Sequence, residues 1–125
     1  MLRDTDVIAT IAVKDLNVAR KFYEDTLGLQ PAGAEEPSVR SYKSEKSKLL
    51  VYESRYAGTN KATAVTWGIS KDFDGVVNAL KAKGVVFEHY DLPGLTRQGD
   101  VHVSGTFKAA WFKDPDGNIL AINSR

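Results

Sequence analysis

The sequence predicts an α+β fold built from two βαβββ modules in tandem, joined into a curved mixed sheet around a cleft. Three observations carry this reading. An apolar, β-branched run that leads into an aspartate occurs twice, at Val7–Val13 before Asp15 and at Thr63–Ile69 before Asp72. A helical apolar pattern follows each aspartate and closes on a glycine, Gly28 and Gly84. Sheet-like segments then fill the rest of each half. At 125 residues the chain has room for one core rather than two. The first module is placed at about residues 5–56, a linker at about 57–62, and the second module at about 63–125.

Val7–Val13 reads as a buried strand. Asp15 suits a helix N-cap, where its carboxylate accepts from free backbone N–H groups of the first turn. Ala19, Phe22 and Tyr23 follow at helical spacing, and Gly28 supplies the left-handed stop. Pro31–Pro37 carries little strand character. Val39–Lys43 and Lys48–Ser54 form a hairpin around the polar turn Ser44-Glu45-Lys46-Ser47. Gly58, Thr59 and Asn60 mark the linker. In the second half, Thr63–Ile69 is a strand, with Trp67 packed beneath a helix as core. Asp72 caps that helix, whose apolar face is Phe73, Val76, Val77 and Leu80, and Val85–Tyr90 is the next strand. Asp91–Gly105 reads as a loop long enough to act as a flap. Lys108–Lys113 and Asn118–Ile122 form the last hairpin, closed by Asp114-Pro115-Asp116-Gly117.

Bulk properties narrow the function. The formal net charge of +1 creates no field to gather nucleic acid or an anionic membrane. The basic residues are scattered, without the aromatic interleaving of a nucleic-acid patch. There is no cysteine, which excludes disulfides and thiol catalysis and fits a cytoplasmic location. Val7–Val13 is too short to span a bilayer, and Asp4, Asp6 and Asp15 make it a poor signal peptide. No glycine-rich phosphate loop leads into a helix.

Val13-Lys14-Asp15-Leu16 with Phe22-Tyr23 and Leu27-Gly28-Leu29 resembles the opening of vicinal oxygen chelate proteins. Trp111-Phe112-Lys113-Asp114-Pro115-Asp116-Gly117-Asn118 resembles their closing hairpin. This is the superfamily of glyoxalase I, bleomycin-resistance proteins and extradiol dioxygenases, and the resemblance covers essentially the whole chain. It implies the glyoxalase/bleomycin-resistance fold, a small-molecule ligand and a homodimer. Metal-dependent members carry ligands at four positions, which correspond here to Ile8, Val51, Ala64 and Ala121. None of these has a donor atom, so no metal and no cofactor are expected. Glu53, Asp100, His89 and His102 are the residues from which a displaced site would have to be built.

The apolar positions also mark the inward face, because strand residues alternate. The expected ligand-binding lining is Ile8, Thr10, Ser41, Leu49, Val51, Glu53, Ala64, Thr66, Trp111, Ala121 and Asn123, with Ile119 beside them. Trp111 is placed to stack on a ring, and Tyr56 and Tyr90 flank the rim. Such a lining suits an apolar or aromatic ligand held by a few hydrogen bonds. Three functions remain open. The first is a metal-independent binding protein. The second is a metal-independent isomerase or lyase with Glu53 or His102 as acid/base. The third, against which the four apolar positions argue, is a metal-dependent glyoxalase or dioxygenase. Both histidines are expected at the surface or pocket rim.

Overall fold

The computed structural model describes the backbone of residues 1–125 and the side chains of all but Ala34 and Glu35. The first half runs β1 (Ala9–Val13), α1 (Leu16–Arg20), a π-helical stretch (Lys21–Thr26), β2 (Gln30–Glu36), β3 (Val39–Ser44) and β4 (Ser47–Glu53). The second runs β5 (Thr63–Gly68), α2 (Phe73–Ala82), β6 (Phe87–Glu88), β7 (Thr96–Gln98), β8 (Val101–Ser104), β9 (Phe107–Lys113) and β10 (Ile119–Asn123). One sheet has the order β1-β4-β3-β2 and the other β5-β10-β9-β8-β7, with β6 also on β9. In each, the first strand pairs in parallel with the last and the remaining pairs are antiparallel. The repeat in the sequence is therefore a repeat in pairing.

The helix starts follow from their caps. The Asp15 carboxylate accepts from the Asn17 N–H at 2.7 Å, and Asp72 accepts from the Gly75 N–H at 3.2 Å. Gly28 and Gly84 end the helical segments at φ of 76° and 92°, a region open to glycine without steric penalty. Three expectations are corrected. The helix after Asp15 widens into π geometry, with the Leu27 N–H bonded to the Phe22 carbonyl. The stretch from Gln30 to Glu36 is a strand, since Pro31 and Gly33 sit on an edge strand whose register shifts. The expected flap contains the hairpin β7–β8, turned at Gly99-Asp100, while the preceding strand shrinks to Phe87–Glu88.

One apolar core joins the halves on their helix-covered sides. Ile11, Val13, Tyr23, Tyr42, Phe112 and Leu120 are among its most deeply buried members. Phe22 meets Phe112 of the other half with ring centroids 6.4 Å apart, and Tyr23 stacks on Tyr42 at 6.3 Å. Trp67 packs against this core as expected. No helix among the described residues is long and apolar enough to cross a membrane.

The halves are locked by a buried carboxylate. Asp114 Oδ2 accepts from the Tyr23 hydroxyl at 2.7 Å and from Asn118 Nδ2 at 2.8 Å. Its Oδ1 accepts from the backbone N–H groups of Asp116 and Asn118, both at 2.9 Å. Four donors fill the acceptor capacity of a carboxylate. Asn118 Nδ2 also reaches the Ala12 carbonyl, and the Lys14 N–H donates to Asp116. Gly58 completes the joint, because a Cβ there would collide with the Asp116 carbonyl oxygen.

Replacing Asp114 with alanine strands several buried donors at once. Urea denaturation should show a loss of about 3 kcal/mol or more, against about 1–3 kcal/mol for Tyr23→Phe. Equal, sub-kilocalorie losses would refute the joint. A pH dependence follows from the tyrosines. Burial first, then the Asp114 carboxylate, pushes the Tyr23 phenol well above its ordinary value near 10. Burial and the hydrogen bond to Glu24 do the same to Tyr42. The unfolded chain thus releases these protons first. Stability is fully present below about pH 10 and is lost above it. The urea midpoint should fall above about pH 10, less steeply in Tyr23→Phe than in the parent.

Candidate functional site

Strand register assigns every side chain to one of two faces. In the first sheet Ala9 pairs with Leu49 and Ile11 with Val51, all on the helix-covered face with Tyr42. The open face carries the row Thr10–Leu50–Ser41 and, beside it, Ala12–Tyr52–Val39. In the second sheet the open face carries Thr66–Ala121–Trp111 and, beside it, Gly68–Asn123–Ala109–His102. Thr10–Leu50–Ser41 is the repeat equivalent of Thr66–Ala121–Trp111.

This register relocates part of the expected lining. Thr10, Ser41, Thr66, Trp111, Ala121 and Asn123 lie on the open faces as expected. Ile8, just before β1, is 51% exposed, and Ala64 at the β5 register shift is exposed too. Leu49, Val51 and Glu53 do not belong with them. Leu49 and Val51 are buried in the core, and the open positions of β4 are Leu50 and Tyr52. Glu53 is exposed at the strand's end on the helix side, where its carboxylate accepts from the Leu16 N–H at 3.3 Å. It supports the start of α1, and an acid/base role facing the sheet has no geometric basis.

With Leu50 in place of Val51 on the open face, the four positions that the resemblance marks become Ile8, Leu50, Ala64 and Ala121. They offer no nitrogen or oxygen donor from a side chain. Among the described residues no three histidines, aspartates or glutamates converge to hold a metal ion. Of the four residues named for a displaced site, His89 and Asp100 meet, and a lysine joins them. His89 Nε2 and Lys81 Nζ lie 2.7 and 2.8 Å from Asp100. The hydrogen bond from His89, with one from Lys81, holds the Asp100 carboxyl below the usual carboxylate range. His89 is at the surface, as expected of both histidines.

His102 is not. It is 1% exposed, a correction with a clear cause. The strand order breaks where β6 leaves β9 and β8 takes over. His102 Nε2 closes that gap, 3.0 Å from the Tyr90 backbone nitrogen and 3.1 Å from its carbonyl oxygen. Its ring stands perpendicular to Trp111 at 4.9 Å, and Tyr90 meets Trp111 at 5.6 Å. Trp111 in turn donates its indole N–H to Thr63 at 3.1 Å. Three rings thus hold one another on the open face, with the Lys113–Glu88 pair alongside at 3.3 Å. Among the described residues, the buried His102 Nδ1 and Tyr90 hydroxyl have no hydrogen-bond partner. Tyr56, the other expected rim residue, is exposed, with the Arg55 guanidinium over its ring. Sequence reasoning missed Leu50, Tyr52 and the His102–Tyr90 clip. Register alone would have supplied the first two.

Chemically, this face offers a fixed aromatic plane, short apolar neighbours and a few hydroxyl or amide groups. That is the make-up of a surface for a flat apolar molecule.

The model of the Glyoxalase/Bleomycin resistance protein/Dioxygenase superfamily matches residues 6–122. No functionally curated protein matches the sequence. Among solved structures, a glyoxalase/bleomycin resistance protein/dioxygenase from Alicyclobacillus acidocaldarius superposes with a TM-score of 0.68 at 22% identity, over 99% of this chain and 94% of that one. Lactoylglutathione lyase from Agrobacterium tumefaciens gives 0.67 at 16%, over 96% and 92%. A fosfomycin resistance protein from Listeria monocytogenes gives 0.65 at 18%, over 96% and 89%. At these identities the likeness is one of fold.

The donor-free corners make a direct prediction. Calorimetric titration with zinc, manganese or nickel ions should give no stoichiometric uptake. One ion per chain held at micromolar affinity or better would overturn the assignment of the four positions.

Proposed function

Because the chain belongs to the Glyoxalase/Bleomycin resistance protein/Dioxygenase superfamily, we propose that it is a metal-independent member that binds a small apolar or aromatic molecule on the open faces of its sheets. One observation carries the reading. The positions that hold a metal elsewhere in the superfamily are here Ile8, Leu50, Ala64 and Ala121, and Trp111 pairs directly with Ala121 in the adjacent strand. An apolar ligand loses nothing at such corners and gains a ring to stack on.

Ile8 and Tyr52 are exposed apolar side chains on or beside these faces. A second copy of the chain seated there would cover them and turn an open surface into an enclosed cleft. The functional unit is therefore proposed to be a cytoplasmic homodimer without a resident cofactor. The names of two similar structures, a bleomycin-resistance relative and a fosfomycin resistance protein, agree with a scaffold used to hold small molecules. The acid/base alternative finds less support. Glu53 is committed to the start of α1, and His102 Nε2 to the Tyr90 backbone.

Native mass spectrometry of the freshly purified protein should give a dimer at bare polypeptide mass, or a dimer carrying an organic molecule that names the ligand class. A monomer at micromolar concentration would remove the enclosed cleft. For any ligand so found, Trp111→Ala should weaken binding about tenfold or more, equivalent to about 1.4 kcal/mol. Unchanged affinity would place the site elsewhere.

A further inference from the structure

A pocket of about 160 Å³, open to solvent on one side, lies on the helix-covered side of the second sheet, on the face opposite Trp111. Leu27, Leu29 and Ser44 of the first half line one wall, and Trp67, Val76 and Leu80 of the second half line another. It is formed where the two halves dock and belongs to neither alone. No charged side chain lines it, so an ionic ligand would be left unpaired there.

One polar group faces this apolar wall. Ser44 Oγ accepts the Trp67 indole N–H at 3.0 Å. Among the described residues the serine's own hydroxyl proton has no acceptor. Size and lining together define an occupant. An apolar volume of about 150 Å³ walled by Leu, Ile and Phe holds one benzene-sized ring. We propose that this cavity is a second small-molecule site, specific for one neutral aromatic ring carrying a single hydrogen-bond acceptor that meets the Ser44 hydroxyl. The site is independent of the open-face reading, and the two tryptophans report on the two faces separately.

The experiment is a titration of the intact protein with anisole, and with ethylbenzene as its acceptor-free isostere. The two indole N–H resonances are followed in a ¹H–¹⁵N spectrum. With anisole, the Trp67 resonance should move and saturate while that of Trp111 stays in place. Anisole should bind at least about threefold tighter than ethylbenzene, and in Ser44→Ala that ratio should fall to about one. Val76→Phe and Leu29→Phe fill the cavity from opposite halves. Either one, if its melting transition shows it folded, should abolish the Trp67 response. The proposal is overturned if Trp67 does not respond up to the solubility limit of anisole, if Trp111 alone responds, or if a folded filled variant still binds.

Discussion

The Asp114 carboxylate is the constraint on which the arrangement of the two halves depends. A carboxylate can be buried only where donors replace its water. Its own turn supplies three of them, from Asp116 and Asn118, and the fourth is the Tyr23 hydroxyl from the other half of the chain. The pair is complete only when the halves are docked. Docking also seats Phe22 against Phe112 and lets Asn118 reach the Ala12 carbonyl near the end of β1. The closing hairpin turn therefore acts as a clamp, and its proline and glycine serve a contact far away in sequence. Because the joint lies on the helix side, it packs that face of both sheets and leaves the other two faces open.

Much of this was legible in the sequence, and the failures share a physical origin. The repeat, both caps, both glycine stops and the closing turn follow from local chemistry, and each is found where the residues place it. Register is different, because it depends on turn length. Four residues separate the paired Lys43 and Lys48, whereas five separate their repeat equivalents Lys113 and Ile119. Aligning these unequal turns shifts β4 by one residue. A one-residue shift moves every side chain to the other face, so Leu49, Val51 and Glu53 exchange places with Leu50 and Tyr52. The conclusion about the four corners survives because Leu50 lacks a donor just as Val51 does.

His102 shows a second limit. Asp91–Gly105 reads as a loop, which puts His102 at the surface or pocket rim. The buried histidine is explained by a gap in strand order that no local pattern encodes. Where β6 ends and β8 begins, the Tyr90 backbone has no strand partner, and one imidazole nitrogen takes one of the two bonds a neighbouring strand would have made. The ring that does this also buttresses Trp111. The feature that repairs the sheet thereby fixes the plane against which a ligand would stack.

Strand β10 brings the two faces together in one element. Its pairing sets Ala121 beside Trp111 and Thr66 on the open side, and Ile122 beside Trp67 and Ala110 on the helix side. Adjacent residues of a strand point oppositely, so a displacement of β10 normal to the sheet that relieves crowding on one side creates it on the other. Ala121 and Ile122 are both 3% exposed, which leaves little slack for such movement. Occupancy of the inner cavity would press on Ile122, while a ring stacked against Trp111 would press from the side of Ala121. Were both proposed sites filled, they would lie back to back across β10, whose close packing on both sides would set one occupant against the other.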